Sequence, residues 1–149
     1  MKKYKILIVD DDRITICMIA CYLTTILSEV VGKEIIRLSV SELMSAINDS
    51  FVAWDGILTI DVSQDVESAI YKISNNTYDV ITLDGDLSCG KHGRDILKMM
   101  DSNQKQTVVV YSGDSTFVKE AEAQNIHAMN KESNNRWQEI LTSMGIIQS

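Results

Sequence analysis

The stretch "YDVITLDGDLSCGKHG", residues 78–93, decides the fold class of this protein. Its first half is a short apolar run of the kind found in strands buried inside a sheet. The run ends at Asp84, and a second acid, Asp86, follows after one residue. The glycines that come next predict a tight loop. Two carboxylates at the end of a buried strand repel each other, so their presence there indicates a chemical function.

The same pattern extends in both directions along the chain, as short apolar runs that alternate with longer amphipathic stretches. Strands are predicted at 4–9, 57–61, 78–83, 107–112 and 126–130, and helices at 13–31, 65–74, 93–100, 115–124 and 135–145. Strands that are apolar along their whole length and alternate with helices indicate a parallel sheet with both faces covered. We therefore expect an α/β protein, a doubly wound three-layer sandwich built on five strands joined by right-handed crossovers.

One segment departs from this alternation. The chain between the first helix and the second strand is about twenty residues longer than a simple connection needs. Leu43, Ala46, Ile47 and Phe51 recur there at helical spacing, and Ser39 or Ser41 could cap the start of a helix. We expect an extra helix inserted at 32–55.

Length and charge limit the classes of function. The 149 residues suit one domain spanning 1–149. The 14 basic and 21 acidic residues give a net charge of −7, which argues against a broad phosphate-binding surface and hence against direct nucleic-acid binding. No apolar run is expected to reach the roughly 18 residues of a membrane span, and the apolar N-terminal run ends in three acids rather than at a cleavage site. The protein is expected to be cytoplasmic.

Polar residues follow four of the predicted strands. In a parallel sheet the carboxyl ends of all strands share one edge, where ligands bind. The residues brought to that edge are Asp10, Asp11, Asp84, Asp86, Ser112 and Lys131.

This set of residues indicates phosphoryl transfer. Carboxylates packed together repel one another, and a divalent cation offsets that cost. Mg²⁺ prefers oxygen ligands, so Asp11 and Asp84 could bind it, with Asp10 tuning the site. Lys131 would face the acids, and Ser112 would donate a hydroxyl to a bound anion. A carboxylate beside a cation, a lysine and a hydroxyl is an arrangement that can accept a phosphoryl group.

Three segments and one lysine resemble the receiver domain of two-component response regulators, over nearly the whole chain. "ILIVDDD" (6–12) is similar to the first strand of that family with its acidic pair, and "VITLDGDLSCGKHG" (80–93) to the segment with the phosphoacceptor. "VVVYSGDS" (108–115) looks like the fourth strand with its switch hydroxyl, and Lys131 matches the family's lysine after the fifth strand.

The resemblance implies a flavodoxin-like sheet with strand order 2-1-3-4-5. It implies that Asp84 accepts a phosphoryl group from a histidine kinase or a histidine phosphotransfer protein, with Ser112 and Lys131 assisting. It further implies a Mg²⁺ site formed by Asp11, Asp84 and the backbone carbonyl of Asp86, with Asp10 in support. Such a protein is a phosphorylated switch that signals through protein contacts, rather than a turnover enzyme.

Several positions depart from the family pattern. Glu132 and Ser88 stand where the family usually has proline, and Ala128 stands where an aromatic residue commonly moves with the switch hydroxyl. Asp86 adds a charge two residues after the acceptor. We expect no output domain, and hence a single-domain regulator that acts on another protein. The sequence leaves open whether the protein forms a homodimer.

Two other functions fit parts of the pattern. The departures would suit a degenerate receiver that binds partners without phosphorylation. The motif "LDGDLS" (83–88) also resembles the loop of haloacid-dehalogenase-like phosphatases, in which Asp84 would be the nucleophile and Asp86 the general acid/base. That loop normally follows the first strand of its domain, whereas here it follows the third.

Overall fold

The structure, a computed structural model, describes residues 2–132 and 135–148. Within these residues a six-stranded sheet has helices on both faces. The strands are β1 (Tyr4–Val9), β2 (Phe51–Ala53), β3 (Leu58–Ser63), β4 (Val80–Leu83), β5 (Val108–Ser112) and β6 (His127–Asn130). The helices are α1 (Arg13–Val31), α2 (Val40–Ser45), α3 (Val66–Asn75), α4 (Gly93–Lys98), α5 (Ser102–Lys105), α6 (Ser115–Ala123) and α7 (Trp137–Ser143).

The strand order is β2-β3-β1-β4-β5-β6. All neighbours except β2 and β3 are parallel. The five predicted strands therefore form the sheet in the order 2-1-3-4-5, and the predicted α/β class is confirmed. The chain builds outward from β1 first toward β3 and then toward β4, so the direction reverses between β1 and β4. In such sheets the carboxyl ends of these two strands border the ligand-binding crevice.

The core lies in two layers because side chains alternate across each strand. Ile6 and Ile8 of β1 pack in one buried cluster with residues of α1 and α7. Leu7 and Val9 face the opposite layer, which contains residues of α3, α4 and α6. This double coverage is the reason why the strands are apolar along their whole length.

The insert differs from the single helix predicted at 32–55. A short helix, α2, does form, and Ser39 caps it in a capping box with Glu42. The chain then turns at 46–50 and continues as β2, which pairs antiparallel with β3 at the sheet edge. Phe51 thus lies in a strand, not on the expected helical face. The polar turn residues before β2 end the helix, and the Ser50 hydroxyl donates to Asp61 at 2.5 Å, which holds the turn against β3.

Helix α1 corrects the expectation about membrane spans. Among the described helices it alone is long and apolar enough to cross a membrane by length and composition, with a mean hydropathy of 1.9 over 18 residues. However, eight of its side chains are buried, including Ile16, Leu23 and Leu27. These three side chains belong to the larger core cluster. Packing against the sheet accounts for the apolar residues on this buried face, whereas Ile14, Met18 and Val30 of the same helix are exposed.

Candidate functional site

Three carboxylates meet where the sheet direction reverses. Asp10 and Asp11 follow β1, and Asp84 follows β4. The backbone pairing continues past the strand ends, because the N–H of Asp84 donates to the carbonyl of Val9 at 3.0 Å. One carboxylate oxygen from each of the three acids lies within 4.8 Å of the others. The structure therefore brings together the acids that the sequence placed at this edge.

Lys131 brings a positive charge to these acids. It follows β6, and its backbone N–H donates to the Ser112 carbonyl at 3.0 Å. Its amine lies 2.9 Å from Asp10 Oδ2 and 3.2 Å from Asp84 Oδ2. The side chain thus bridges two of the three carboxylates.

Burial is the strongest influence on the charges of these residues. It raises the pKa of Asp10 to about 6, and repulsion from Asp84 adds to the rise. Burial also raises the pKa of Asp84, although Lys131 acts in the opposite direction. The pKa of Lys131 is lowered by burial but raised more by the two acids, so it lies above its ordinary value. The lysine only partly offsets the negative charge.

The donor set fits a divalent cation. Asp10 Oδ1 accepts the backbone N–H of Asp12 at 2.8 Å. Its buried Oδ2 has the Lys131 amine nearby but no aligned hydrogen bond. A buried oxygen with unused lone pairs, next to Asp84 and the exposed Asp11, provides the hard oxygen ligands that Mg²⁺ prefers. Asp10, Asp11 and Asp84 could therefore hold a magnesium ion.

Ser112 also lies next to the Asp84 carboxylate. It is fully buried at the end of β5. Its Oγ accepts the backbone N–H of Gly85 at 3.3 Å and that of Asp114 at 3.1 Å. Because both contacts use the oxygen as an acceptor, the hydroxyl hydrogen is left to donate. Burial raises the pKa of Asp84, and the Ser112 hydroxyl is among the groups that lower it.

Two glycines make the close packing around Asp84 possible. A Cβ at Gly93 would lie 2.1 Å from the backbone oxygen of Asp84. A Cβ at Gly85 would lie 2.9 Å from Ser112 Oγ and 3.1 Å from His92 Nε2. The glycines were visible in the sequence as a loop signal, but the contacts that require them were not.

The structure adds two residues that the sequence did not assign to the site, His92 and Asp114. His92 Nε2 lies 3.0 Å from Asp114 Oδ2, and this contact is the main cause that lowers the pKa of Asp114. The only sequence signals were that His92 precedes a helix and that Asp114 stands in a capping position.

Asp86 takes a different position from the other acids. Its residue is exposed, and its carboxylate groups with His92 and Asp114 rather than with Asp10, Asp11 and Asp84. The assignment of its backbone carbonyl to the metal stays a prediction.

Three further positions depart from the family pattern, namely Ser88, Ala128 and Glu132. Ser88 begins a short 3-10 turn, Ser88–Gly90. Ala128 on β6 is half-buried against the layer of α3, α4 and α6. Tyr111 directly precedes Ser112, but its ring packs in the opposite layer from Ala128, with its centroid 5.4 Å from that of Trp137. The residues that follow Glu132, at 133–134, lie outside the described residues.

Comparison by sequence finds no matching protein-family model and no matching curated protein. Comparison by structure does find similar proteins. A CheY-like response regulator receiver domain protein of Methanospirillum hungatei matches with a TM-score of 0.57 at 16% identity, over 97% of this chain and 96% of that one. A two-component response regulator of Clostridium difficile matches with a TM-score of 0.55 at 22% identity, over 97% of both chains.

A third similar structure is the response regulator TrrA of Thermotoga maritima in complex with Mg²⁺-BeF. It has a TM-score of 0.53 at 16% identity and covers 99% of this chain and 100% of its own. The chain therefore has the fold of response regulator receiver domains.

Proposed function

We propose that this protein is a response regulator receiver, located in the cytoplasm, that accepts a phosphoryl group on Asp84 in a Mg²⁺-dependent reaction. The observation that carries the proposal is the Lys131 amine between Asp10 and Asp84, with the Ser112 hydroxyl beside the same carboxylate. The receiver fold supports this reading of the site.

The reaction would use the chain's own residues as follows. A carboxylate oxygen of Asp84 attacks phosphorus, a P–O bond forms, and the bond from phosphorus to the donor breaks with its electron pair leaving on the donor atom. Bound Mg²⁺ would neutralise charge on the phosphoryl oxygens. Lys131 offers its amine to a phosphoryl oxygen, and Ser112 offers its hydroxyl hydrogen to another. Phosphoryl transfer relies mainly on such placement of charge.

The partners follow from the same chemistry. A histidine kinase or a histidine phosphotransfer protein would supply the phosphoryl group, and a downstream protein would bind the phosphorylated form. The net charge of −7 favours partners with basic surfaces. In this proposal the protein is a switch and not an enzyme that turns over substrate.

Incubation with acetyl phosphate and Mg²⁺, followed by intact-protein mass spectrometry, tests the proposal. We expect the wild type to gain one phosphoryl group, and we expect none on Asp84→Asn. Asp86→Asn is the matched control, because it removes a neighbouring exposed acid, and it should still be phosphorylated. Equal modification of Asp84→Asn and wild type, or no modification of either, would refute the proposal.

A degenerate receiver is the second candidate, since Ser88, Ala128 and Glu132 depart from the family pattern. It predicts no Mg²⁺ binding at millimolar concentrations, which are typical for weak sites. Saturable amide shifts at Asp11 and Asp84 in a Mg²⁺ titration would exclude it. The phosphatase alternative loses support because the chain has the fold of receiver domains and the Asp84 loop follows β4, whereas the phosphatase loop follows the first strand of its domain.

A further inference from the structure

A hydrogen bond between His92 and Asp114 connects the loop after β4 with the loop after β5. His92 is the N-cap residue of α4, and Asp114 is the N-cap residue of α6. The imidazole Nε2 lies 3.0 Å from Asp114 Oδ2. The contact therefore joins the starts of two helices that both border Asp84 and Ser112.

The contact of Nδ1 determines the tautomer of a neutral His92 ring. Nδ1 accepts the backbone N–H of Arg94 at 3.0 Å, so a neutral ring carries its hydrogen on Nε2. Nε2–H then donates to Asp114. This tautomer argues against a metal bound by the cluster of Asp86, His92 and Asp114, because a metal on Nε2 would need that nitrogen without its hydrogen.

The His92–Asp114 contact continues toward the proposed acceptor. The backbone N–H of Asp114 donates to Ser112 Oγ at 3.1 Å. The N–H of Gly85 is shared between Ser112 Oγ at 3.3 Å and Asp84 Oδ1 at 2.8 Å. A continuous series of hydrogen bonds thus runs from His92 to the carboxylate of Asp84.

Packing holds the ring and its partner in place. The His92 ring stands edge-on to Phe117, with ring centroids 4.7 Å apart and an interplanar angle of 84°. Asp114 is fixed from the other side, because its Oδ1 accepts the backbone N–H groups of Thr116 and Phe117. Asp114 therefore has little freedom to turn while His92 is present.

We propose that His92 is a positioning residue for the phosphorylation of Asp84, one that acts through Asp114 to hold the Ser112 hydroxyl beside the acceptor. The inference rests on the proposed function. A donor group that is already aimed at the place where negative charge develops needs no reorganisation during the reaction. Loss of the His92–Asp114 bond should therefore slow the transfer step without altering the acceptor itself.

Two substitutions separate the roles of the two ring nitrogens. His92→Asn keeps an acceptor near the position of Nδ1, and so the cap of α4, but lacks a donor at Nε2. His92→Gln places an amide N–H close to the position of Nε2 and keeps the bond to Asp114. The phosphorylation rate constant with acetyl phosphate and Mg²⁺ should fall about ten-fold in His92→Asn and stay within about two-fold of wild type in His92→Gln. The dependence on donor concentration should not change in either variant.

Glu120→Gln is the matched control. Arg94 and Glu120 form a second link between α4 and α6, with Nε and Nη2 at 2.8 and 3.1 Å from the carboxylate oxygens. The side chains of this link make no hydrogen bond to His92, Asp114 or Ser112 among the described contacts, and the backbone N–H of Arg94 that donates to His92 is unaffected by the substitution. The loss of this link should therefore leave the rate constant unchanged. Without any phosphodonor, the Gly85 amide resonance should shift in His92→Asn and not in Glu120→Gln.

Asp114→Asn tests the same bond from its other end. The Asn side chain can still cap α6 through its carbonyl, but its NH₂ group would face the Nε2–H of His92. The variant should be as slow as His92→Asn, and the double variant should be no slower than either. If urea titration shows that His92→Asn is not folded, the rate constant of Asp114→Asn tests the inference instead.

The outcomes distinguish this inference from the proposed function. If the wild type is never phosphorylated, both are overturned. If the wild type is phosphorylated and His92→Asn reacts at the same rate, only the role of His92 is overturned. A rate loss in Glu120→Gln equal to that in His92→Asn would also overturn it, because it would indicate a general effect of loosening the two helices.

Discussion

Asp10 is a carboxylate that the protein buries completely with few groups to stabilise its charge. Its pKa rises to about 6 because burial and the charge of Asp84 outweigh the effects of the Asp12 backbone N–H and Lys131. Between about pH 4 and pH 6 the folded protein therefore binds more protons than the unfolded chain. As the pH rises through this interval, ionisation of Asp10 lowers the free energy of unfolding.

The first prediction concerns Asp10→Asn, which removes this titration. In metal-free buffer, the free energy of unfolding of the variant minus that of the wild type should increase from pH 4 to pH 7 by up to about 3 kcal/mol. Urea titrations at several pH values in the presence of a chelator measure this difference. A difference that does not change with pH would show that the surroundings of Asp10 do not raise its pKa.

Gly93 is tightly packed against the backbone of Asp84. A Cβ there would lie 2.1 Å from the backbone oxygen of Asp84, which cannot move away without displacing the loop after β4. Gly93→Ala should lower the free energy of unfolding by about 2 kcal/mol or more. Gly113→Ala is the control, because a Cβ at that position has nothing within 4 Å. Similar losses in the two variants would contradict the steric argument.

Among the elements, the insert depends on a contact from α3. The Lys72 amine donates to the carbonyls of Ala46 and Ile47 in the turn after α2, and to that of Val62 on β3. Burial lowers the pKa of Lys72, although the nearby acids raise it. One side chain thus joins a helix, the sheet and the turn that leads into β2.

Lys72→Met should therefore loosen the insert. Three carbonyls would lose their donor, and an unsatisfied buried acceptor costs about 1–3 kcal/mol. We expect faster amide hydrogen exchange at 46–53 and a loss of stability of about 2 kcal/mol. Lys98→Met, on the exposed surface of α4, is the control. Exchange at 46–53 that is equally slow in both variants would mean that apolar packing alone holds the insert.

Asp10, Asp11 and Asp84 concentrate negative charge at one edge of a protein whose net charge is already −7. Mg²⁺ bound among Asp10, Asp11 and Asp84 would relieve part of this repulsion only in the folded state. Ligands that bind only the folded state stabilise it.

We therefore expect Mg²⁺ at about ten times its dissociation constant to raise the melting temperature by about 3–6 °C. Sodium chloride at matched ionic strength accounts for general screening. Asp11→Asn should lose most of the shift, whereas Asp55→Asn, which alters an exposed acid on the insert, should keep it. A shift of the same size with sodium chloride would count against a specific site.

The sequence alone determined the five parallel strands, their helices and the acids, hydroxyl and lysine that follow them. These features are local, because an apolar run predicts a buried strand and a residue that follows a strand must lie at the sheet edge. The expected single helix at 32–55 was wrong in part, because β2 forms only by pairing with β3. The prediction that no segment could match a membrane span was also wrong, because α1 is long and apolar and buries one face in the core.

Which side chains meet at that edge, and how closely, follows only from the three-dimensional packing of the loops. The contact of His92 with Asp114 joins residues 22 positions apart, and the clash that forbids a side chain at Gly93 involves the backbone of Asp84. Such contacts depend on how the loops of different strands pack against one another, and no local pattern of residues encodes those distances.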